Sequence, residues 1–109
     1  MNIFFSPLRT DDTVDFVKSG DVIYINGEPF DLSKIEEGDV LPKAAINSSW
    51  FAGDASRENG HLIVTLILPN PWNYSREQAF PEPIYSAQDG KIDLPKPLPE
   101  TNQQEMAGE

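Results

Sequence analysis

The run His61-Leu62-Ile63-Val64-Thr65-Leu66-Ile67-Leu68-Pro69, opened by Asn59-Gly60, constrains this chain more than any other feature. Asn-Gly supplies two residues that tolerate positive φ, as the type I′ turn of a tight β-hairpin requires. From Leu62 to Leu68 nothing is more polar than Thr65, and Val, Ile and Thr favour a pleated, packed surface over a helix. Alternation places Leu62, Val64, Leu66 and Leu68 on one face and Ile63, Thr65 and Ile67 on the other. Both faces being apolar, the pattern predicts a central strand covered on both sides. Pairing outward from the turn sets Glu58 against His61, Arg57 against Leu62, Ala55 against Val64, Gly53 against Leu66 and Phe51 against Leu68. Gly53 then marks a bulge or a close approach of another layer. Trp50 and Phe51 begin the partner strand and belong to the core.

Two more hairpins are expected. Asp21 to Ile25 and Glu28 to Leu32 flank Asn26-Gly27, which pairs Ile25 with Glu28, Tyr24 with Pro29, Ile23 with Phe30 and Val22 with Asp31. Its buried face carries Ile23, Ile25, Phe30 and Leu32. Ile84 to Gln88 and Lys91 to Leu94 flank Asp89-Gly90, setting Tyr85 and Ala87 opposite Leu94 and Ile92. Asn2 to Phe5 reads as a short strand stopped at Ser6-Pro7, and Val14 to Lys18 as a strand or turn-bounded segment. Ser33 and Glu36 have capping-box spacing, with Gly38 to end one helical turn. Pro95-Lys96-Pro97-Leu98-Pro99 is polyproline-like, and Glu100 to Glu109 is polar, acidic and expected to be disordered. A chain of 109 residues supports one core. The fold expected is all-β: one small domain over residues 1–95, with three β-hairpins forming a sheet or sandwich and at most one short helical turn. A flexible, Pro-rich and acidic tail follows over 96–109.

Little in the chain supports catalysis. No cysteine is present, so no thiol nucleophile, disulfide or thiolate metal site exists, and a cytoplasmic setting is expected. His61 is the single histidine and follows a turn, where a solvent-facing side chain opposite Glu58 is expected. Asp21, Asp31 and Asp89 do not begin a calcium-loop alternation, and neither a phosphate-cradling glycine loop nor a nucleophile elbow occurs. The reading is therefore of a protein that is not an enzyme, with no metal and no cofactor. The N-terminus lacks the basic flank and apolar core of a signal peptide, and no stretch is long enough to span a membrane. The formal net charge of −10 disfavours nucleic acid and anionic membranes as partners. Nine of the 18 acids lie between Asp11 and Asp39. They read as a solubilising face; the sharper alternative is an acidic inhibitor or decoy of a nuclease or DNA-binding protein.

Binding surface remains. Pro69 to Pro83 carries Pro69, Pro71, Pro81 and Pro83 with Trp72, Tyr74 and Phe80, a length at which loops become functional. The favoured placement folds these three rings back over an open end of the sheet. The alternative makes Trp72, Tyr74 and Phe80 a contact patch for a protein or, as a carbohydrate-binding accessory module, for a sugar.

Six short motifs recur in order: Ile25-Asn26-Gly27-Glu28-Pro29-Phe30-Asp31-Leu32-Ser33, Glu37-Gly38-Asp39-Val40-Leu41-Pro42, Trp50-Phe51-Ala52-Gly53-Asp54, Leu66-Ile67-Leu68-Pro69, Phe80-Pro81-Glu82-Pro83-Ile84 and Asp89-Gly90-Lys91-Ile92-Asp93-Leu94-Pro95. Over roughly residues 20 to 95 this string resembles a family of small proteins of tailed bacteriophages and prophages. The resemblance implies a gene of the virion-assembly or tail region and a product without enzymatic activity. Its partner would be another protein, a phage tail or assembly component, with homo-oligomerisation or virion association as further expectations. The chain departs from the family pattern between Asn70 and Ala79, where Trp72 and Tyr74 replace small and polar residues.

Overall fold

The computed structural model describes residues 1–99; the disorder expected of Glu100 to Glu109 lies outside the described residues. The chain is β-dominated. Its strands are β1 (Asn2–Arg9), β2 (Phe16–Ser19), β3 (Val22–Ile25), β4 (Glu28–Asp31), β5 (Val40–Leu41), β6 (Ala55–Glu58), β7 (His61–Asn70) and β8 (Gly90–Lys91). A 3-10 turn spans Lys43–Ala45 and a single helical turn, α1, spans Arg76–Ala79. Two four-stranded sheets result, ordered β1-β7-β6-β5 and β4-β3-β2-β8.

The apolar run becomes β7, which is central in the first sheet, between β6 and β1. Leu62, Val64, Leu66 and Leu68 are fully buried, whereas Ile63, Thr65 and Ile67 are only half-buried. The expectation of cover on both sides therefore holds for one face alone. β1 runs parallel to β7 along its whole length, from Asn2 opposite Ile63 to Arg9 opposite Asn70. Ser6-Pro7 does not stop it. Ile3 exchanges both main-chain hydrogen bonds with Ile84 on the side away from β7, so by alternation Pro7 also turns its missing N–H outward, where no ladder bond is lost.

Both Asn-Gly turns form with the left-handed φ pair of a type I′ turn: 53° and 85° at Asn26 and Gly27, 54° and 81° at Asn59 and Gly60. The β3–β4 register is the one expected, Ile25 opposite Glu28 through Val22 opposite Asp31. The β6–β7 register is correct from the turn to Ser56 opposite Ile63 and then slips. Phe51 bridges Leu66 rather than Leu68, because Ala52 N–H still donates to Thr65 O at 2.9 Å and two extra residues, Gly53 and Asp54, then intervene before β6; Asp54 Oδ1 accepts the Lys43 N–H at 2.7 Å. A further hairpin, unanticipated, joins β2 to β3 through Gly20-Asp21, with Gly20 at φ 58°.

The Asp89-Gly90 hairpin does not form. Ile84 is taken by Ile3, Ala87 N–H donates to Met1 O, and Ile92 N–H donates to Phe16 O. Gly90 and Lys91 instead pair with Lys18 and Val17 of β2. Asp89 fixes that switch: its Oδ1 accepts from Lys18 Nζ at 2.6 Å and from Gly20 N–H at 2.9 Å. The helical turn expected over Ser33 to Gly38 is also missing there. Asp31 Oδ1 takes the Ser33 N–H and Asp39 Oδ2 takes the Glu36 N–H, which satisfies those donors in successive turns.

The two sheets share one core. Ile3, Ala55, Leu62, Val64 and Leu66 of the first sheet meet Phe16, Ile23 and Ile25 of the second, with Leu32, Ile35, Ile46, Phe51 and Ile92 supplied by connections. Phe51 and Phe30 pack edge to face across it, centroids 5.8 Å apart. Phe51 is thus core, as expected, while Trp50 is partly buried at its margin.

Candidate protein-binding surface

The loop that leaves β7 is pinned at three points. At its root, Asn70 is buried and its Nδ2 donates to Gln78 O at 2.8 Å. Ser75 then caps α1: its Oγ accepts the Gln78 N–H at 3.2 Å while Gln78 Oε1 accepts the Ser75 N–H at 3.1 Å. This capping box, Ser75-x-x-Gln78, was as legible as the Ser33 pattern and is the one that forms. Asn73, 8% exposed, anchors the loop to the C-terminal segment, with Nδ2 donating to Leu98 O at 2.6 Å and its own carbonyl accepting the Leu98 N–H at 2.9 Å.

On this framework the rings stand outward. Trp72, Tyr74 and Phe80 are 62%, 47% and 72% exposed, so they do not fold back over the sheet. The loop has better polar partners than its rings: Asn70, Asn73, Ser75 and Gln78 are the side chains it buries. Arg76 lies over the Phe80 ring, 5.7 Å from its centroid, and an open groove of about 500 Å³ runs between Arg76, Glu77, Phe80, Glu82 and Pro95. Ring-to-ring packing occurs elsewhere, at Phe30–Phe51 and at Phe4–Tyr85.

A second apolar surface lies on the outer face of the first sheet. Register places Phe4 beside Thr65, Ser6 beside Ile67, Leu8 beside Pro69, and Asn2, Ile63, Ser56 and Val40 in one row. None of these side chains is charged, and Phe4, Leu8 and Val40 are exposed. Tyr85 meets Phe4 edge to face at 6.0 Å. Single-sequence reading missed this surface because it covered β7 on both sides.

The two longer open strand edges, β1 and β4, are poor templates for a further strand. β1 turns Pro7 to its outer side. On β4, the turn pairs Ile25 with Glu28, so Pro29 opposite Tyr24 also faces outward with no N–H to offer.

The acids between Asp11 and Asp39 are largely occupied by the fold itself. Asp11 pairs with Arg9, Asp15 with Lys91 and Asp21 with Arg57. Asp31 and Asp39 cap backbone amides, and Glu37 takes the Asn59 and Gly60 N–H groups at 2.6 and 2.8 Å, bracing the β6–β7 turn. The Ser33 N–H holds the Asp31 carboxyl below its ordinary value, and the Lys18 ammonium, with the Gly20 N–H, does the same for Asp89. His61 is exposed opposite Glu58. Among the described residues no group of three or more His, Cys, Asp or Glu side chains is placed to hold a metal ion, and no helix is long and apolar enough to cross a membrane. Compared with known proteins, the chain matches no family model, no curated protein sequence and no solved structure.

Proposed function

We propose that this is a non-catalytic accessory or tail-assembly protein of a tailed phage or prophage, acting through protein contacts made by the loop from Pro69 to Pro83. The observation that carries the reading is the exposure of Trp72, Tyr74 and Phe80 on a segment held rigid by Asn70, Asn73 and the Ser75 cap. A pinned loop that gives three rings to solvent forgoes burial of roughly 1.5–3 kcal/mol per large side chain. Its rigidity lowers the entropy lost when a partner covers the rings. The phage assignment rests on the motif string between Ile25 and Pro95, and the partner it implies is a tail or assembly component. The outer face of the first sheet around Phe4, Leu8 and Tyr85 is a second place for such contacts or for a second copy. With most acids of the 11–39 segment committed to amides and ion pairs of their own fold, an acidic decoy ranks below this reading.

The test is complementation in a phage-producing host that encodes the chain. Deleting its gene should lower the yield of intact virions, and wild type should restore it while Trp72→Ser/Tyr74→Ser/Phe80→Ser, folded by circular dichroism, should not. Full restoration by the triple variant would refute the role given to the loop.

A further inference from the structure

Asn73 does more than hold its own loop: it reads the main chain of a residue 25 positions away in both directions, as acceptor from Leu98 N–H and as donor to Leu98 O. The gripped segment is Pro95-Lys96-Pro97-Leu98-Pro99. Each proline fixes its own φ and drives the residue before it to an extended conformation, so the sequence biases the segment towards a polyproline II rod, a conformation that makes no backbone hydrogen bonds of its own. In such a rod only the residues between prolines offer an N–H, and Leu98 offers its own to Asn73. Pro97 lies with Pro69, Pro71, Gln78 and Leu94 along one open hollow. The chain neighbours of Asn73 are Trp72 and Tyr74, both exposed. A buried amide that reads the rod's backbone, between aromatic residues and next to apolar proline surface, has the chemistry by which proline-rich segments are recognised.

We propose that the stretch Trp72-Asn73-Tyr74 is a binding site for a proline-rich segment of a partner protein, of Pro-x-Pro-x-Pro type, and that Pro95 to Pro99 is a built-in occupant which the partner displaces. This rests on the loop being a protein-binding surface and supplies the chemistry of what it binds. The same segment from a second copy would make only the contacts already made. It would also lack the tether, which presents the resident segment at an effective concentration on the order of millimolar. A partner segment long enough to cover Trp72 and Tyr74 gains area that the resident segment leaves open.

The probe is a blocked twelve-residue peptide, the Leu-Pro-Lys-Pro-Leu-Pro sequence of residues 94–99 repeated twice in tandem and so long enough to pass beyond the resident footprint to Trp72 and Tyr74; it is titrated into the full chain and followed by the Trp72 indole and Asn73 amide resonances. Leu98→Pro removes the gripped N–H and loosens the resident segment; Leu98 is exposed, so the core is untouched. The variant should bind the peptide about tenfold more tightly than wild type, the equivalent of one hydrogen bond released from competition. Binding should fall in Leu98→Pro/Trp72→Ala, which alters only a second exposed side chain, and be absent for a peptide with every proline replaced by Gln. Equal affinity for wild type and Leu98→Pro, or shifts that avoid residues 71–74, would overturn the proposal. If the peptide fails while Trp72→Ala still weakens capture of a tail protein from phage-producing cells, the loop binds other chemistry. If both fail, the loop is not the binding surface.

Discussion

Asp89 shows how one carboxylate redirects a segment. Asp-Gly signals a hairpin turn, yet the Lys18 ammonium and the Gly20 N–H draw Asp89 to β2 and Gly90-Lys91 follows. Those two donors lower its folded-state pKa, so the stabilisation is present above the unfolded value and is lost as pH falls through the folded one. Asp89→Asn should therefore lower the urea midpoint at pH 7, and the gap from wild type should close as pH drops below about 4, near the ordinary Asp value. A gap that persists at pH 2 would contradict the linkage. Glycines separate by conformation in the same way. Gly60 has φ 81°, so Gly60→Ala should cost about 1 kcal/mol in denaturant unfolding. A Cβ on Gly53 would lie 3.6 Å from Thr65 Cβ, an ordinary contact, so Gly53→Ala should stay within about 0.5 kcal/mol of wild type. The turn chemistry of Asn26-Gly27 and Asn59-Gly60 was legible because it is local. The partner of Asp89 was not, since Lys18 is 71 positions away.

At the scale of elements, the two long edges share one device. β1 and β4 each place a proline where the N–H would point to open solvent, at Pro7 and Pro29. Pro7→Thr should leave thermal stability nearly unchanged but make association concentration-dependent in light scattering, because the edge regains a donor. A variant that stays monomeric over the range of wild type would show that Pro7 does not guard the edge. The strands β3, β4 and β7 and the β3–β4 register followed from alternation and turn type. The parallel pairing of β1 with β7 did not, because a partner 61 positions distant leaves no local mark. The helical turn was misplaced between two Ser-x-x-Glu/Gln patterns of equal strength. Asp31 and Asp39 satisfy the donors around Ser33 without a helix, whereas Ser75 and Gln78 cap each other reciprocally. Ser75→Ala should remove about 1 kcal/mol of helix-end stability, seen as faster amide exchange at Gln78 and Ala79 with the core unaffected.

For the whole molecule, one core joins both sheets, and Phe51 against Phe30 is the contact that crosses it. Phe51→Ala should cost about 3–5 kcal/mol, a large share of the stability of a domain this size, and unfold both sheets in one transition. The rings at Trp72, Tyr74 and Phe80 can be changed without that penalty, which makes the binding claim separable from folding. Their presence was legible from the proline-pinned composition of the loop; their exposure was not, because it depends on Asn73 reaching Leu98 and Asn70 reaching Gln78. The most direct measurement is affinity capture from phage-producing cells with the tagged wild type and the Trp72→Ser/Tyr74→Ser/Phe80→Ser variant, at low and moderate salt, the bound proteins identified by mass. Recovery by wild type alone of a tail or assembly protein that survives moderate salt is the result expected. Equal recovery by the variant, or recovery only of a host DNA-binding enzyme that moderate salt removes, would contradict it.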